Sequence, residues 1–246
     1  MRALPRVTTS TIDPHAVSGD IDRAVRTALA AGRSPISIDV PRLAALRPDV
    51  LIGQSLCDVC AVGGDDLAHA AAALSPRPTV VTMHAHTLDA VFGDMLTVGA
   101  AIGLRDEADE LVAGLRYRLR QVASHAPTTP HPTVLVLEWL DPPYVAGHWV
   151  PELVAIAGGQ DVGNTAGARS AARPWRELAA LGPEKVIVAL CGFDVPRARQ
   201  EAAALQDVDA LRLFSGGVEF LDGNAYTSRP GPRLIQAARL LALMLR

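Results

Sequence analysis

The chain has 246 residues, 49% of them hydrophobic and only 4% aromatic, enough for one large domain or two small ones with ample core. Its 23 Lys and Arg against 26 Asp and Glu leave a net charge of −3 with no basic stripe, which excludes nucleic acid as the partner. No apolar run reaches the roughly 18 residues that cross a bilayer, so no membrane insertion is expected, and three cysteines do not make a disulfide scaffold. The opening MRALPRVTTSTID carries no apolar core of a signal peptide. As written it therefore points to the cytoplasm; a trimmed start would place the protein outside it.

In chain order, a short extended piece at 6–10 leads to a helix over Ile21–Ala31, closed by Gly32. A short helix is expected at Val40–Leu46, then a turn at Pro48-Asp49 and a buried strand at Val50–Gly53. The loop Gln54–Gly64 follows, then a helix opened by Asp65 and Asp66, whose acids suit its N-terminus. Thr79–Met83 reads as a β-branched strand, and Leu88–Leu104 as a helix with Val91, Met95, Leu96, Ala100 and Ile102 toward the core. From Leu104 to Ser124, apolar residues at Ala108, Leu111, Val112, Leu115, Leu119 and Val122 mark one helical face. Acids open this helix and arginines close it, as its dipole favours. At 1.5 Å per residue it spans roughly 30 Å, long enough to join two lobes.

The second half begins with the strand Thr133–Trp139 and the loop 140–149, stiffened by Pro142 and Pro143. A short helix at Val150–Ala157, a polar loop to Pro174, a helix at Trp175–Leu181 and a strand at Val186–Leu190 come next. A helix near 196–205, a strand at Val218–Leu221, the loop Asp222–Pro232 and an amphipathic helix to Met244 complete the chain. Residues 43–52, LAALRPDVLI, align without gaps on 178–187, LAALGPEKVI. Helix, Pro-acid turn and strand fall in the same frame, so one βα unit occurs in both halves. The expected fold is α/β: two parallel-sheet lobes, 1–104 and 127–246, joined by a backbone helix at 105–126. Strands followed by helices form parallel sheets, with ligands at the carboxyl ends of the strands. Facing loops then define a cleft from Gln54–Ala61, Met83–Thr87, Trp139–Trp149, Cys191–Asp194 and Asn224–Arg229.

Several cleft residues carry chemistry. Cys57-x-x-Cys60 has the spacing of a zinc pair, which Cys191 with His148 or His86 could complete. Buried packing of two small side chains is the alternative, and a thioredoxin-like dithiol is disfavoured because no helix starts at once after the motif. Trp139, Tyr144 and Trp149 offer flat faces with few torsions to freeze, although Trp149 could instead pack inward at a helix start. His148 could give an axial nitrogen to cobalt or iron, or bond a loop carbonyl. His84 and His86 could as well be exposed or cap the next helix. Asn224, Tyr226, Ser228 and Arg229 read as a carboxylate or phosphate site, or as an ordinary helix-starting loop. No Ser–His–Asp order, Walker loop or G-x-G-x-x-G supports an enzyme. A cytoplasmic metal- or cofactor-handling protein using Cys57, Cys60, Cys191 and a histidine is the second reading. An interaction module or oxidoreductase of the same fold is the third.

The stretches QSLCDVCAV (54–62), EWLDPPYVAGHWVPELVAIAGG (138–159), ALCGFD (189–194) and DGNAYTSRPGPRL (222–234) carry a family likeness. Together they resemble the cobalamin-binding, BtuF-like branch of the helical-backbone substrate-binding proteins of ABC transporters (class III periplasmic binding proteins). The resemblance implies two lobes on one long helix and a non-enzymatic protein that binds a corrinoid or metal chelate. From the facing loops, the expected ligand contacts are Gln54, Cys57, Cys60, His86, Trp139, Tyr144, His148, Trp149, Cys191, Phe193, Asn224, Tyr226 and Arg229. An ABC permease would be the partner, docking through acids whose nearest matches are Asp65, Asp66 and Asp194. Family members usually begin with a further strand, loop and helix ahead of RALPRVTTS. Without that unit the first lobe is expected to lack part of its sheet, so that either the start shown is internal or a partner chain, such as a second copy, covers the exposed strand edge.

Overall fold

The computed structural model describes residues 4–55, 64–126 and 131–246. The fold is α/β, in two compact units: Met1–His84 with Gly93–Asp109, and Ala85–Phe92 with Glu110–Arg246.

The first unit opens with β1 (Thr8–Ser10), α1 (Ser18–Ala30) and β2 (Ile36–Ile38), and β1 and β2 pair antiparallel. Gly32 ends α1 at φ +66, a conformation that suits glycine past a helix end. α2 (Val40–Leu46) keeps its expected bounds, because Asp39 accepts the Arg42 N–H at 3.0 Å and Pro41 sits in its first turn. β3 (Val50–Gln54), α3 (Gly64–Ala72) and β4 (Thr79–Met83) follow, with β3 and β4 parallel. Leu43, Leu51, Leu67, Ala70, Ala71 and Leu74 form the core of this unit. β3 is not buried throughout as expected: Ile52 is 44% exposed. The β1–β2 ribbon and the β3–β4 pair are separate sheets. A groove of about 380 Å³ is lined by Val7 and Thr8, by Ile38, and by Leu51, Ile52 and Gln54.

α4 (Leu88–Ala101) buries Leu88, Val91 and Phe92; of the residues read as core from the sequence, Ala100 lies on its exposed side and Ile102 is exposed just past its end. α5 (Arg105–Ser124) buries Ala108, Val112, Leu115, Leu119 and Val122, the expected stripe without Leu111. No helix among the described residues is long and apolar enough to cross a membrane.

The second unit contains β5 (Thr133–Leu140), β6 (Pro143–Val145), α6 (Val150–Ile156), β7 (Gln160–Asp161) and β8 (Ala171–Ala172). After these come α7 (Trp175–Ala180), β9 (Lys185–Val188), α8 (Val195–Ala203), α9 (Val208–Ser215), β10 (Val218–Phe220) and α10 (Leu234–Met244). The sheet runs β10-β9-β5-β6-β8, with β7 on β5. β10, β9, β5 and β7 pair parallel, whereas β6 and β8 add antiparallel pairings at one side. β5 and β9 are buried on both faces, as near-continuous Val, Leu and Ile runs require. Three short strands and α9 lie where loops were expected. α9 is capped by Asp207, whose carboxylate accepts the N–H of Asp209 and Ala210.

Candidate functional site

The carboxyl ends of β5, β9 and β10 bring together most of the second-half residues singled out from the sequence. Trp139 on β5 is the register partner of Tyr144 on β6, and its ring lies 5.2 Å from that of Phe193, just past β9. The Arg197 guanidinium sits 5.0 Å from the Phe193 centroid, a cation–π distance. The Phe193 carbonyl accepts the Asn224 N–H at 3.1 Å, and Cys191 donates its backbone N–H to the Glu138 carbonyl at 2.9 Å.

Asn224 and Tyr226 lie on a single π-helical turn, Gly223–Thr227, whose start is fixed by Asp222 accepting the Ala225 N–H at 2.7 Å. That turn packs so close to β9 that a Cβ on Gly223 would strike the Leu190 carbonyl, so glycine is required there. Arg229 reaches back to the same Asn224, donating from Nε to its carbonyl at 2.9 Å and from Nη2 to its Oδ1 at 2.7 Å. The guanidinium thus braces the turn, which leaves fewer donors for an anion than the sequence reading gave it.

The second feature is a pair of imidazoles. His86 Nδ1 and His148 Nδ1 lie 3.2 Å apart, with ring centroids at 5.1 Å. Such a contact needs one Nδ1 protonated and the other bare. Burial, helped by His86 and then Arg169, pushes His148 below the ordinary histidine value, so it is neutral at pH 7. Its backbone holds φ +56, unusual outside glycine, and its own N–H donates to the Ala168 carbonyl at 2.6 Å while its carbonyl accepts from Gly167. His148 is therefore anchored through its backbone. Glu152 on α6 accepts the Leu88 N–H at 2.6 Å and ties the segment after His86 to this unit.

Trp149 packs inward. It is 3% exposed, and its indole N–H donates to the Thr227 carbonyl at 2.9 Å, so it supports the π-turn and backs His148, 5.7 Å away ring to ring. His84 is exposed, and Thr87 rather than a histidine caps α4, accepting the Ala90 N–H. In the first unit, Gln54 ends β3 and lines the groove, while Asp65 and Asp66 are exposed in the first turn of α3. Asp194 is exposed but its carboxylate caps α8 through the Arg197 N–H at 2.9 Å. Cys57 and Cys60 lie outside the described residues. Among the described ones no group of three or more His, Cys, Asp or Glu could hold a metal ion. Arg197, Arg169 and Glu152 were not singled out beforehand. Only Arg197 had a local signal, its four-residue spacing from Glu201, with which it pairs at 2.8 Å.

A family model described as "Periplasmic binding protein" matches residues 9–215. Solved structures agree in fold. An ABC transporter substrate-binding protein from Listeria monocytogenes EGD-e is 18% identical with a TM-score of 0.68, covering 85% of this chain and 81% of its own. IsdE of S. aureus, solved with heme, is 17% identical at 0.66, covering 85% and 81%. The periplasmic vitamin B12 binding protein BtuF of Vibrio cholerae is 15% identical at 0.60, covering 85% and 78%. A search of curated proteins finds no match.

Proposed function

The chain belongs to the periplasmic binding protein family, and from that premise we propose that it is the substrate-binding component of an ABC transporter for a corrinoid or a related metal chelate. The family consists of ligand binders rather than enzymes, and its members typically work outside the cytoplasm, which leaves the cytoplasmic placement without support. Two observations carry the ligand class: flat aromatic faces at the carboxyl end of β5, and a neutral imidazole on the segment that follows β6. Trp139 and Tyr144 supply the faces, and buried Phe193 backs Trp139. His148, held neutral beside His86, supplies a nitrogen that coordinates a metal centre. Among the similar structures, the Vibrio cholerae protein is named for vitamin B12 and the S. aureus protein was solved with heme. Both ligands are metal macrocycles, and this set of side chains suits either. The corrin is the reading favoured by the motifs around 138–159 and 222–234. Asp65, Asp66 and Asp194, all exposed, are the acids offered to a permease.

Titration of the purified protein with aquacobalamin, followed by its visible spectrum and by tryptophan fluorescence, tests this. An imidazole replacing the axial water shifts the absorption bands, and a ring against Trp139 quenches emission. Binding of hemin with no response to aquacobalamin would remove the corrin and keep the receptor; silence toward both would refute the proposal.

A further inference from the structure

His86 and His148 meet through the same ring nitrogen, Nδ1 to Nδ1 at 3.2 Å, and both belong to the second unit. A neutral imidazole carries one ring proton, so this contact sets the two rings in opposite tautomers. The ring that donates from Nδ1 keeps a bare Nε2; the ring that accepts at Nδ1 carries its proton on Nε2. The pair therefore presents one nitrogen lone pair and one N–H. Among the described residues neither Nε2 has a hydrogen-bond partner and neither is a buried orphan, so both are open. Burial, His86 and the Arg169 guanidinium leave His148 a weak base. A weak base is a poor acceptor, which makes His148 the better donor of the two. The geometry that joins them is held from both sides. The His148 backbone is fixed at φ +56 by bonds to Ala168 and Gly167, and the Glu152 carboxylate accepts the Leu88 N–H two residues past His86.

On the reading of the protein as a receptor for a metal chelate, we infer that His86 is a positioning residue. Its bare Nδ1 accepts the His148 Nδ1–H and so fixes the tautomer in which His148 Nε2 is bare for the metal centre of the ligand. A histidine side chain in water favours the Nε2–H form, and which nitrogen stays bare in a protein is set by the bond that the other one makes. Without a partner at Nδ1, His148 would carry its proton on the nitrogen that has to reach the metal. Donation to His86 also raises the electron density at Nε2, as the outer partner of a metal-binding histidine does, and so offsets the basicity lost to burial. Glu152 acts one step further out, by holding the segment that carries His86.

The tautomer is read in the ligand-free full chain by long-range proton–nitrogen NMR of the imidazoles, with His86→Leu and His148→Gln supplying the assignments. His148 should show a protonated Nδ1 and a bare Nε2, and should revert to the Nε2–H form in His86→Leu. His86→Asn, whose amide oxygen stands where Nδ1 stood, should restore the parent tautomer. Aquacobalamin affinity should follow, at least about tenfold weaker in His86→Leu and close to the parent in His86→Asn, with circular dichroism unchanged in both. A His148 that carries its proton on Nε2 in the parent, or a tautomer that His86→Leu leaves unchanged, overturns the inference. So does equal affinity in His86→Leu and His86→Asn, because an acceptor at this position would then not matter. A parent silent toward both aquacobalamin and hemin would refute the receptor reading, and with it the purpose assigned to the contact. That failure is told apart because the tautomer is decided without ligand.

Discussion

Ile52 and Ile187 are the same residue in the same frame of the repeat, and the first is 44% exposed while the second is 1%. Their local sequences agree down to backbone detail. Arg47 and Gly182, which follow the two aligned helices, both adopt left-handed φ, 46° and 55°. Leu43 and Leu178 are both buried, as are Leu51 and Val186. What differs is the neighbour: β9 lies between β10 and β5, whereas among the described residues β3 pairs with β4 alone. A helix–turn–strand unit is thus specified locally, but its burial is conferred by strands distant in sequence.

That contrast is most sharply tested by charge. Ile187→Asp should destabilise the protein by at least about 4 kcal/mol, since a carboxylate would enter a strand buried on both faces. Ile52→Asp should cost under about 1 kcal/mol. Urea unfolding checks both, and equal costs would break the comparison. Next in size is Asp161, on β7 of the second unit. Burial raises it to about 6, against backbone N–H bonds from Gly163 and Asn164 that pull it down, and its Oδ2 is buried without a partner. A carboxyl whose folded value is raised favours folding when protonated, so stability falls as pH rises from 3.8 through about 6. Asp161→Asn should therefore be more stable than the parent by about 2 kcal/mol at pH 7.5, with the gap closing toward pH 4. The smallest effect concerns the paired turns. Gly182→Ala should cost about 1 kcal/mol and Arg47→Gly should gain about 0.5 kcal/mol, because only glycine holds a left-handed φ without a Cβ clash. Thermal unfolding of the two variants should move in opposite directions.

His148 adds a pH dependence of opposite sign. Its folded value is lowered, mainly by burial, so the stability it contributes is full above 6.5 and is lost as pH falls from 6.5 through the depressed value. Unfolding midpoints of the parent and of His148→Gln should diverge only below pH 6.5, the variant being the less sensitive to acid.

The repeat, α2, β4 and α5 were legible because caps, β-branched runs and helical spacing are local. β6, β7 and β8 were not, since segments of two or three residues take their conformation from the strand they pair with. α9 had a signal, Asp207 ahead of Val208, that a short run with exposed Val208 and Leu211 obscured. The second-half residues were legible as a group because Trp139 lies at the end of a strand and Cys191, Phe193 and Asn224 each come soon after one. The His86–His148 contact was not, for it joins residues 62 apart through backbone anchors at Gly167 and Ala168. Arg229 was named for an anion and instead braces Asn224, a role set by the π-turn that no sequence spacing announces.

The ligand assignment rests on His148 meeting a metal centre and on Trp139 and Tyr144 meeting its macrocycle. The direct measurement is the visible spectrum of aquacobalamin titrated into the parent protein and into His148→Ala. The account predicts a saturable band shift with the parent and at least a tenfold weaker response, without the shift, in the variant. An identical shift in both proteins would contradict it.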